Sequence, residues 1–177
     1  GKTLYPVKTI GETDFTGTIV TFLPDTSIFQ QTTEYNYETL ATRMRELAYL
    51  NKGITITLTD KRNTDDEGNF ISETFHSDEG LPEFIKYLDS TREQLTATVI
   101  SMEGEKNGIP VEVAMVYNTS YSENLHSYVN NINTHEGGTH LSGFRRGLTH
   151  TLKKYADESG LLKNVKFEIA GDDFREG

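Results

Sequence analysis

The stretch of residues 130–148, NNINTHEGGTHLSGFRRGL, combines the types and spacing of residues that could do chemistry. Gly137 and Gly138 stand directly before a run of helical spacing. Free backbone amides and the dipole at the start of a helix both favour a bound phosphate or another anion. The stretch nevertheless lacks the Gly-Lys-Ser/Thr of a P-loop. Two alternatives therefore stay open, an anion-binding loop or a flexible start of a helix.

A metal site is not predicted in this stretch. His135 and His140 are five residues apart, in the pattern HExxxH, whereas zinc proteases place two histidines four residues apart on one helix face. At about 100° per residue, five steps separate two side chains by about 140°. The acidic runs 65–67 and 172–176 lack the spacing of a calcium loop, so we interpret them as solvated turns. No catalytic residue is predicted.

The segment after Gly138 predicts the longest helix of the chain, over residues 139–156. Its predicted buried stripe contains Leu141, Phe144, Leu148, Leu152 and Tyr155, and its opposite face carries Arg146, His150, Lys153 and Lys154. This basic face is either a contact for a polyanion or an ordinary solvated surface. Arg145 lies at the margin of the apolar stripe. It is therefore expected to be half-buried in an ion pair or aimed into a cleft beside the sheet.

Composition limits the classes of function. The 177 residues carry a net charge of −10, so their average surface repels nucleic acid and any DNA contact must be local. With no cysteine there is no thiol chemistry and no disulfide. No apolar run approaches the roughly 20 residues that cross a bilayer, and a membrane location is not predicted. The start at Gly1-Lys2 indicates a piece of a longer protein.

The first half of the chain alternates strand and helix patterns. Residues 18–23, TIVTFL, predict a strand before a turn at Pro24-Asp25. Apolar spacing predicts a helix over residues 37–48, which Asn51-Lys52-Gly53 ends. Alternating isoleucine, leucine and threonine in residues 54–59 predict a strand, and residues 69–76 return antiparallel to it.

The second half begins with a short predicted helix over residues 81–88. Strands are predicted at residues 96–102 and 111–117, around an Asn107-Gly108 hairpin turn. A third strand at residues 124–130 is expected to extend that sheet, and residues 165–169 are expected to form the last strand. The fold class is therefore α+β, with a domain boundary at about residue 79.

Four segments resemble the B subunit family of DNA gyrase, the ATP-operated part of a type II topoisomerase. They are GTIVTFLPDTSIF at 17–29, YETLATRMRELAYLNKGITITLTD at 37–60, NNINTHEGGTHLSGFRRGLTHTL at 130–152 and GDDFREG at 171–177. They span the chain from residue 17 to residue 177 and are specific in order and spacing. The related topoisomerase IV subunit shares the outline. A free-standing S5-like nucleic-acid-binding module is the alternative from another class.

The resemblance implies two domains. Residues 1–79 match the C-terminal part of a GHKL-type ATPase domain, with its sheet and helix layer. Residues 80–177 match a transducer domain of the ribosomal-S5-domain-2-like fold, truncated at its C-terminal end. ATP and Mg²⁺ are implied for the parent protein. Because most of the family's ATP-binding and catalytic groups lie outside these segments, the chain alone is expected to bind no cofactor stably and to be inactive.

The resemblance also implies binding residues and partners. Thr18 matches the family's adenine-binding threonine, and Val20 lies on the same strand face. Arg145 matches the arginine that faces the DNA cavity, with Arg146 as its companion. The implied partners are DNA, the gyrase A subunit and a second copy of the gyrase B subunit in an A2B2 assembly, located in the cytoplasm. The implied activity is ATP-coupled strand passage and negative supercoiling.

Overall fold

The chain divides after Tyr35 into two units, and the computed structural model describes residues 2–177. The first unit has neither helix nor strand within residues 2–35, and nearly all of its side chains are exposed. An ordered turn follows Pro24, where the Asp25 carbonyl accepts hydrogen bonds from the amides of Ile28 and Phe29. No helix within residues 2–177 is long and apolar enough to cross a bilayer.

The strand predicted at residues 18–23 is wrong. This segment makes no backbone ladder with any residue of the described part of the chain. A strand gains stability only when its N–H and C=O groups pair with a neighbour and one of its faces is covered. Neither condition is met here, and Val20 is 77% exposed. The segment therefore forms no strand.

The second unit begins with helix α1, Tyr37–Leu50. Asn36 caps it, because its side-chain oxygen accepts a hydrogen bond of 2.9 Å from the Thr39 amide. Asn51 ends it and donates from its side-chain amide to the Leu47 carbonyl at 2.8 Å. The predicted helix and its predicted end are confirmed.

Strands β1, Thr55–Thr64, and β2, Phe70–His76, form an antiparallel hairpin beside α1. The side chains of Ile56 and Leu58 on one face of β1 are half-buried, while the threonines that alternate with them are exposed. Phe75 pairs with Ile56 across the hairpin and packs against α1. The predicted alternation and antiparallel return are both confirmed.

Helix α2, Leu81–Leu88, follows β2 as predicted. Its buried Phe84 stacks on Tyr49 of α1, with ring centroids 5.1 Å apart. Ser77, just before α2, also donates to the Glu83 carboxylate. Contacts therefore run across the boundary expected at about residue 79.

Strands β3, Ile100–Lys106, and β4, Ile109–Met115, form a second antiparallel hairpin. Asn107 and Gly108 make its two-residue turn, with φ angles of 55° and 75°. Both values lie in the left-handed region that a type I′ turn requires and that asparagine and glycine tolerate best. The predicted hairpin is confirmed.

The third strand predicted at residues 124–130 is wrong. Only β5, Tyr128–Val129, forms, and it pairs with β6, Ile132–Asn133, instead of with the β3–β4 hairpin. Asn130 and Asn131 both adopt positive φ and turn the chain back on itself. A tight local turn costs less loop-closure entropy than pairing with a distant strand. The described sheets are therefore three separate two-stranded hairpins.

Helix α3, Thr139–Glu158, confirms the predicted longest helix. Its apolar stripe is less buried than expected, however. Leu141, Phe144, Leu148 and Leu152 are half-buried, and Tyr155 is 62% exposed. The reason is that α3 has no close backbone contact with another helix or strand within residues 2–177 and packs on loops. The last predicted strand, residues 165–169, is also wrong, because no segment in the described range pairs with it.

The different burial of two phenylalanines of β2 predicts that they contribute differently to the free energy of unfolding. Phe75 is 5% exposed among Ala41 and Ala48, whereas Phe70 is 49% exposed. Phe75→Ala is expected to lower the free energy of unfolding by about 3 kcal/mol or more, because it leaves a cavity under α1. Phe70→Ala, the matched control, should cost less than about 1 kcal/mol. Urea unfolding followed by circular dichroism measures both, and equal losses would contradict this description of the core.

Candidate functional site

Hydrogen bonds at Thr134 and Gly137 hold the glycine loop that precedes α3. The Thr134 hydroxyl donates to the Ser127 carbonyl at 3.0 Å, and the Gly137 amide donates to the Thr134 carbonyl at 2.8 Å. Gly138 then caps α3 with no side-chain hydrogen bond and a φ of 156°. A Cβ atom there would lie 2.8 Å from the His140 ring, so the position favours glycine.

A cleft of about 510 Å³ opens beside this loop. One wall comes from α1, another from the residues around β5 and β6, and the third from the start of α3. Its lining residues are Glu46, Leu125, His126, Ser127, Asn133, Thr134, His135, Glu136, Gly137, Leu141 and Arg145. The structure thus brings Gly137 and Arg145, which sequence reasoning treated separately, to one cleft.

Arg145 satisfies both alternatives left open for it. Its Nε and Nη2 donate to the two carboxylate oxygens of Glu123 at 3.0 and 2.7 Å, a two-pronged ion pair. Its side chain is 39% exposed and also lines the cleft. The hydrogen bond with Glu123 raises the pKa of Arg145, and partial desolvation opposes that rise. The guanidinium therefore stays charged and reachable from solvent.

Arg175 is a second arginine on the same carboxylate. Its side chain is 14% exposed, and its Nε lies 3.2 Å from Glu123 Oε1. The Nε–H is not directed at that oxygen and has no hydrogen-bond acceptor, so this contact is electrostatic. Nη1 donates to the Gly171 carbonyl at 2.8 Å and to Thr149 Oγ1 at 3.3 Å, and Nη2 is paired with Asp172.

Sequence reasoning missed Glu123 and the role of Arg175. Arg175 lies inside the GDDFREG segment of the family resemblance, which is the signal that could have found it. Glu123 had no such signal, because it is 22 positions from Arg145 and belongs to no helix or strand. Ion pairs between distant segments leave no periodic trace in a sequence.

The remaining predicted site residues lie elsewhere. Thr18 and Val20 are exposed in the first unit and belong to no strand. Arg146 is exposed on α3 and forms no ion pair with any residue in the range 2–177. It is absent from the lining of the cleft. The structure therefore brings Arg145 to the cleft and leaves Arg146 on the open surface.

The acidic and histidine residues show no arrangement for a metal. No group of three or more histidine or acidic side chains within residues 2–177 could hold an ion. His140 Nε2 lies 3.1 Å from the Thr134 hydroxyl. Asp65 accepts hydrogen bonds from the amides of Glu67 and Asn69, which lower its pKa and shape the loop. Asp173 accepts from the Ala170 amide at 2.7 Å.

The β5–β6 hairpin is fastened to α1 beside the cleft. The Tyr128 hydroxyl donates to Glu46 Oε1 at 3.3 Å, and Arg43 Nη2 donates to the Asn131 carbonyl at 2.7 Å. The Asn131 side chain donates to Asn51 Oδ1 at 2.8 Å. Burial first, and then the charge of Glu46, raise the pKa of Tyr128 to about 12. We call these five residues the hairpin clamp.

Comparison with known proteins gives consistent matches. The family described as DNA gyrase B matches residues 80–177. The chain is 64% identical over 173 residues to the DNA gyrase B subunit of Cytophaga hutchinsonii, covering 98% of this chain and 36% of that protein. It is 44% identical over 177 residues to the DNA gyrase B subunit of Streptococcus pyogenes, covering 100% of this chain and 27% of that protein. The chain thus spans between about a quarter and about a third of the length of these curated relatives.

Solved structures confirm the α+β class. The 43K ATPase domain of Thermus thermophilus gyrase B, in complex with an aminocoumarin, is 29% identical with a TM-score of 0.73, covering 87% of this chain and 40% of that one. The B-subunit of the DNA gyrase from Myxococcus xanthus has a TM-score of 0.66 at 24% identity, covering 76% of this chain and 36% of that one. At that lower identity, the second match supports the fold alone.

The hairpin clamp predicts a pH dependence of stability. The pKa of Tyr128 is about 12 in the folded chain against 10.0 for an ordinary tyrosine. Folding therefore favours the neutral phenol, and this stability is present below about pH 10 and lost as the pH rises toward about 12. Tyr128→Phe should flatten the fall in the free energy of unfolding over that range. Tyr121→Phe, at an exposed position, is the control, and an unchanged slope in Tyr128→Phe would contradict the prediction.

Proposed function

This chain belongs to the DNA gyrase B family, and we propose that it is a piece of the B subunit of an ATP-dependent type II DNA topoisomerase, an isomerase. In that protein it couples ATP binding and hydrolysis to DNA strand passage and negative supercoiling. The match of residues 80–177, together with 64% identity to a gyrase B subunit along 98% of the chain, supports this proposal.

We propose that residues 1–79 form the end of a GHKL ATPase domain and that residues 80–177 form a transducer domain. The family match begins at residue 80, which supports the boundary. Aromatic stacking of Tyr49 on Phe84 and the hairpin clamp join the two proposed parts. Such packed contacts transmit a rotation of one part to the other, as a coupling element requires.

The observation that carries the DNA-facing role is the position of Arg145. It is a charged, partly exposed arginine on the rim of the cleft of about 510 Å³. We propose that Arg145, with Arg146 as a companion, contacts the phosphates of a duplex. Such contacts are independent of sequence and weaken with salt, which suits a duplex that passes through. On a chain of net charge −10, this contact is local.

ATP and Mg²⁺ belong to the proposed parent enzyme. Thr18 and Val20 are the residues proposed to approach the adenine. In this structure both residues are exposed in the first unit. The proposed partners are DNA, the gyrase A subunit and a second copy of the gyrase B subunit in the cytoplasm.

The first prediction from this proposal concerns Arg145. In the full-length protein, Arg145→Gln should lower ATP-dependent supercoiling, because one phosphate contact is lost. The same variant should reduce the slope of DNA affinity against salt, on logarithmic axes, by about one unit. Lys106→Gln removes an equal charge from an exposed position on β3 and should change neither measurement. Wild-type supercoiling by Arg145→Gln would contradict the proposed contact.

The salt titration also separates this function from a free-standing nucleic-acid-binding module. A coupling element is expected to bind DNA weakly near physiological salt when it is alone, because its net charge opposes the duplex. Tight binding under that condition by the 177-residue chain would favour the module instead.

A second prediction concerns catalysis by the chain alone. Because the resemblance places most of the family's ATP-binding and catalytic groups outside the matching segments, the purified 177-residue chain should release no phosphate from ATP above a buffer control. A coupled phosphate-release assay measures this. Robust turnover that survives further purification would contradict the proposed division of labour.

A further inference from the structure

Glu123 joins two arginines that come from distant parts of the chain. Its carboxylate receives Nε and Nη2 of Arg145 at 3.0 and 2.7 Å, and it lies 3.2 Å from Nε of Arg175. The Glu123 side chain is 27% exposed. One carboxylate therefore lies against two guanidinium groups next to the cleft.

The two arginines depend on Glu123 to different degrees. Arg175 has other acceptors in the Gly171 carbonyl, Thr149 Oγ1 and Asp172, and these hold its side chain in place. Arg145 has no other hydrogen-bond acceptor within residues 2–177. Loss of the Glu123 charge would therefore free Arg145 while Arg175 stays anchored.

The geometry at Arg145 is the one that a phosphate would use. The Nε–Nη2 edge of a guanidinium binds a carboxylate or a phosphate through the same two parallel hydrogen bonds. In this structure that edge is fully occupied by Glu123. A duplex can take the same edge only after the carboxylate has moved away.

We infer that Glu123 is a built-in competitor that occupies the phosphate-binding edge of Arg145 and weakens its contact with DNA until a duplex displaces it. This inference rests on the proposed contact between Arg145 and DNA. Its consequence is a DNA contact that is weak and reversible. A duplex is held long enough to be passed and is released because the carboxylate returns to the arginine.

The test is Glu123→Gln in the 177-residue chain, with a short DNA duplex of mixed sequence as the probe at fixed low salt. Exposed ion pairs contribute little, so the variant should bind about two- to fivefold more tightly. Glu136→Gln is the matched control. Glu136 lines the cleft that Arg145 also lines, and its replacement changes the charge equally, but it forms no ion pair with an arginine in the described structure. If both variants gained DNA affinity equally, the effect would come from net charge alone, and the inference would be overturned.

A double variant shows whether the gain passes through Arg145. In Glu123→Gln combined with Arg145→Gln, affinity should fall to that of Arg145→Gln alone. If Arg145→Gln has no effect on DNA affinity, the proposed DNA contact itself fails. If Arg145→Gln weakens binding while Glu123→Gln does not strengthen it, the contact stands and only the competitor role is overturned.

A shorter carboxylate provides a further test. Glu123→Asp keeps the charge on a shorter side chain that cannot make both hydrogen bonds, and its affinity should lie between wild type and Glu123→Gln. Thermal unfolding checks that each variant is folded.

Discussion

Two alanines on α1 set the spacing on which the second unit depends. Ala41 and Ala48 are two helical turns apart, so they lie on one face of the helix. Both are buried against Phe75 of β2. Because neither side chain extends beyond its Cβ atom, the helix axis can lie close to the β1–β2 hairpin. This approach positions the other faces of α1, where Tyr49 meets α2 and Glu46 meets Tyr128.

Local signals in the sequence predicted the elements that depend on local interactions. The end of α1 at Asn51 and the Asn107-Gly108 turn are both confirmed. The three strands that failed, at 18–23, 124–130 and 165–169, share a different requirement. Each needed a partner strand from elsewhere in the chain, and no sequence pattern shows whether that partner is present. Propensity alone therefore predicted strands where no ladder forms.

The candidate site shows the same limit. The margin position of Arg145 predicted either an ion pair or a place at a cleft, because helical periodicity assigns a direction to each side chain, and the structure shows both. Periodicity could not name Glu123, which lies outside every helix and strand in the described range. Thr18 and Val20 were chosen from family resemblance, and the structure leaves both exposed. The placement of a side chain on a helix was predictable from the sequence, whereas the placement of a side chain in a loop was not.

The separation of the sheets into three hairpins has a consequence for how the molecule opens. Helix α1 covers one face of β1–β2, whereas all seven residues of β3 are exposed. Backbone amides under a packed helix exchange with solvent only after larger unfolding events, and exposed strands open locally. Hydrogen exchange is therefore expected to be slowest around Ala41, Ala48 and Phe75 and faster along β3. The β1–β2 hairpin under α1 would then stay closed while the β3–β4 hairpin opens.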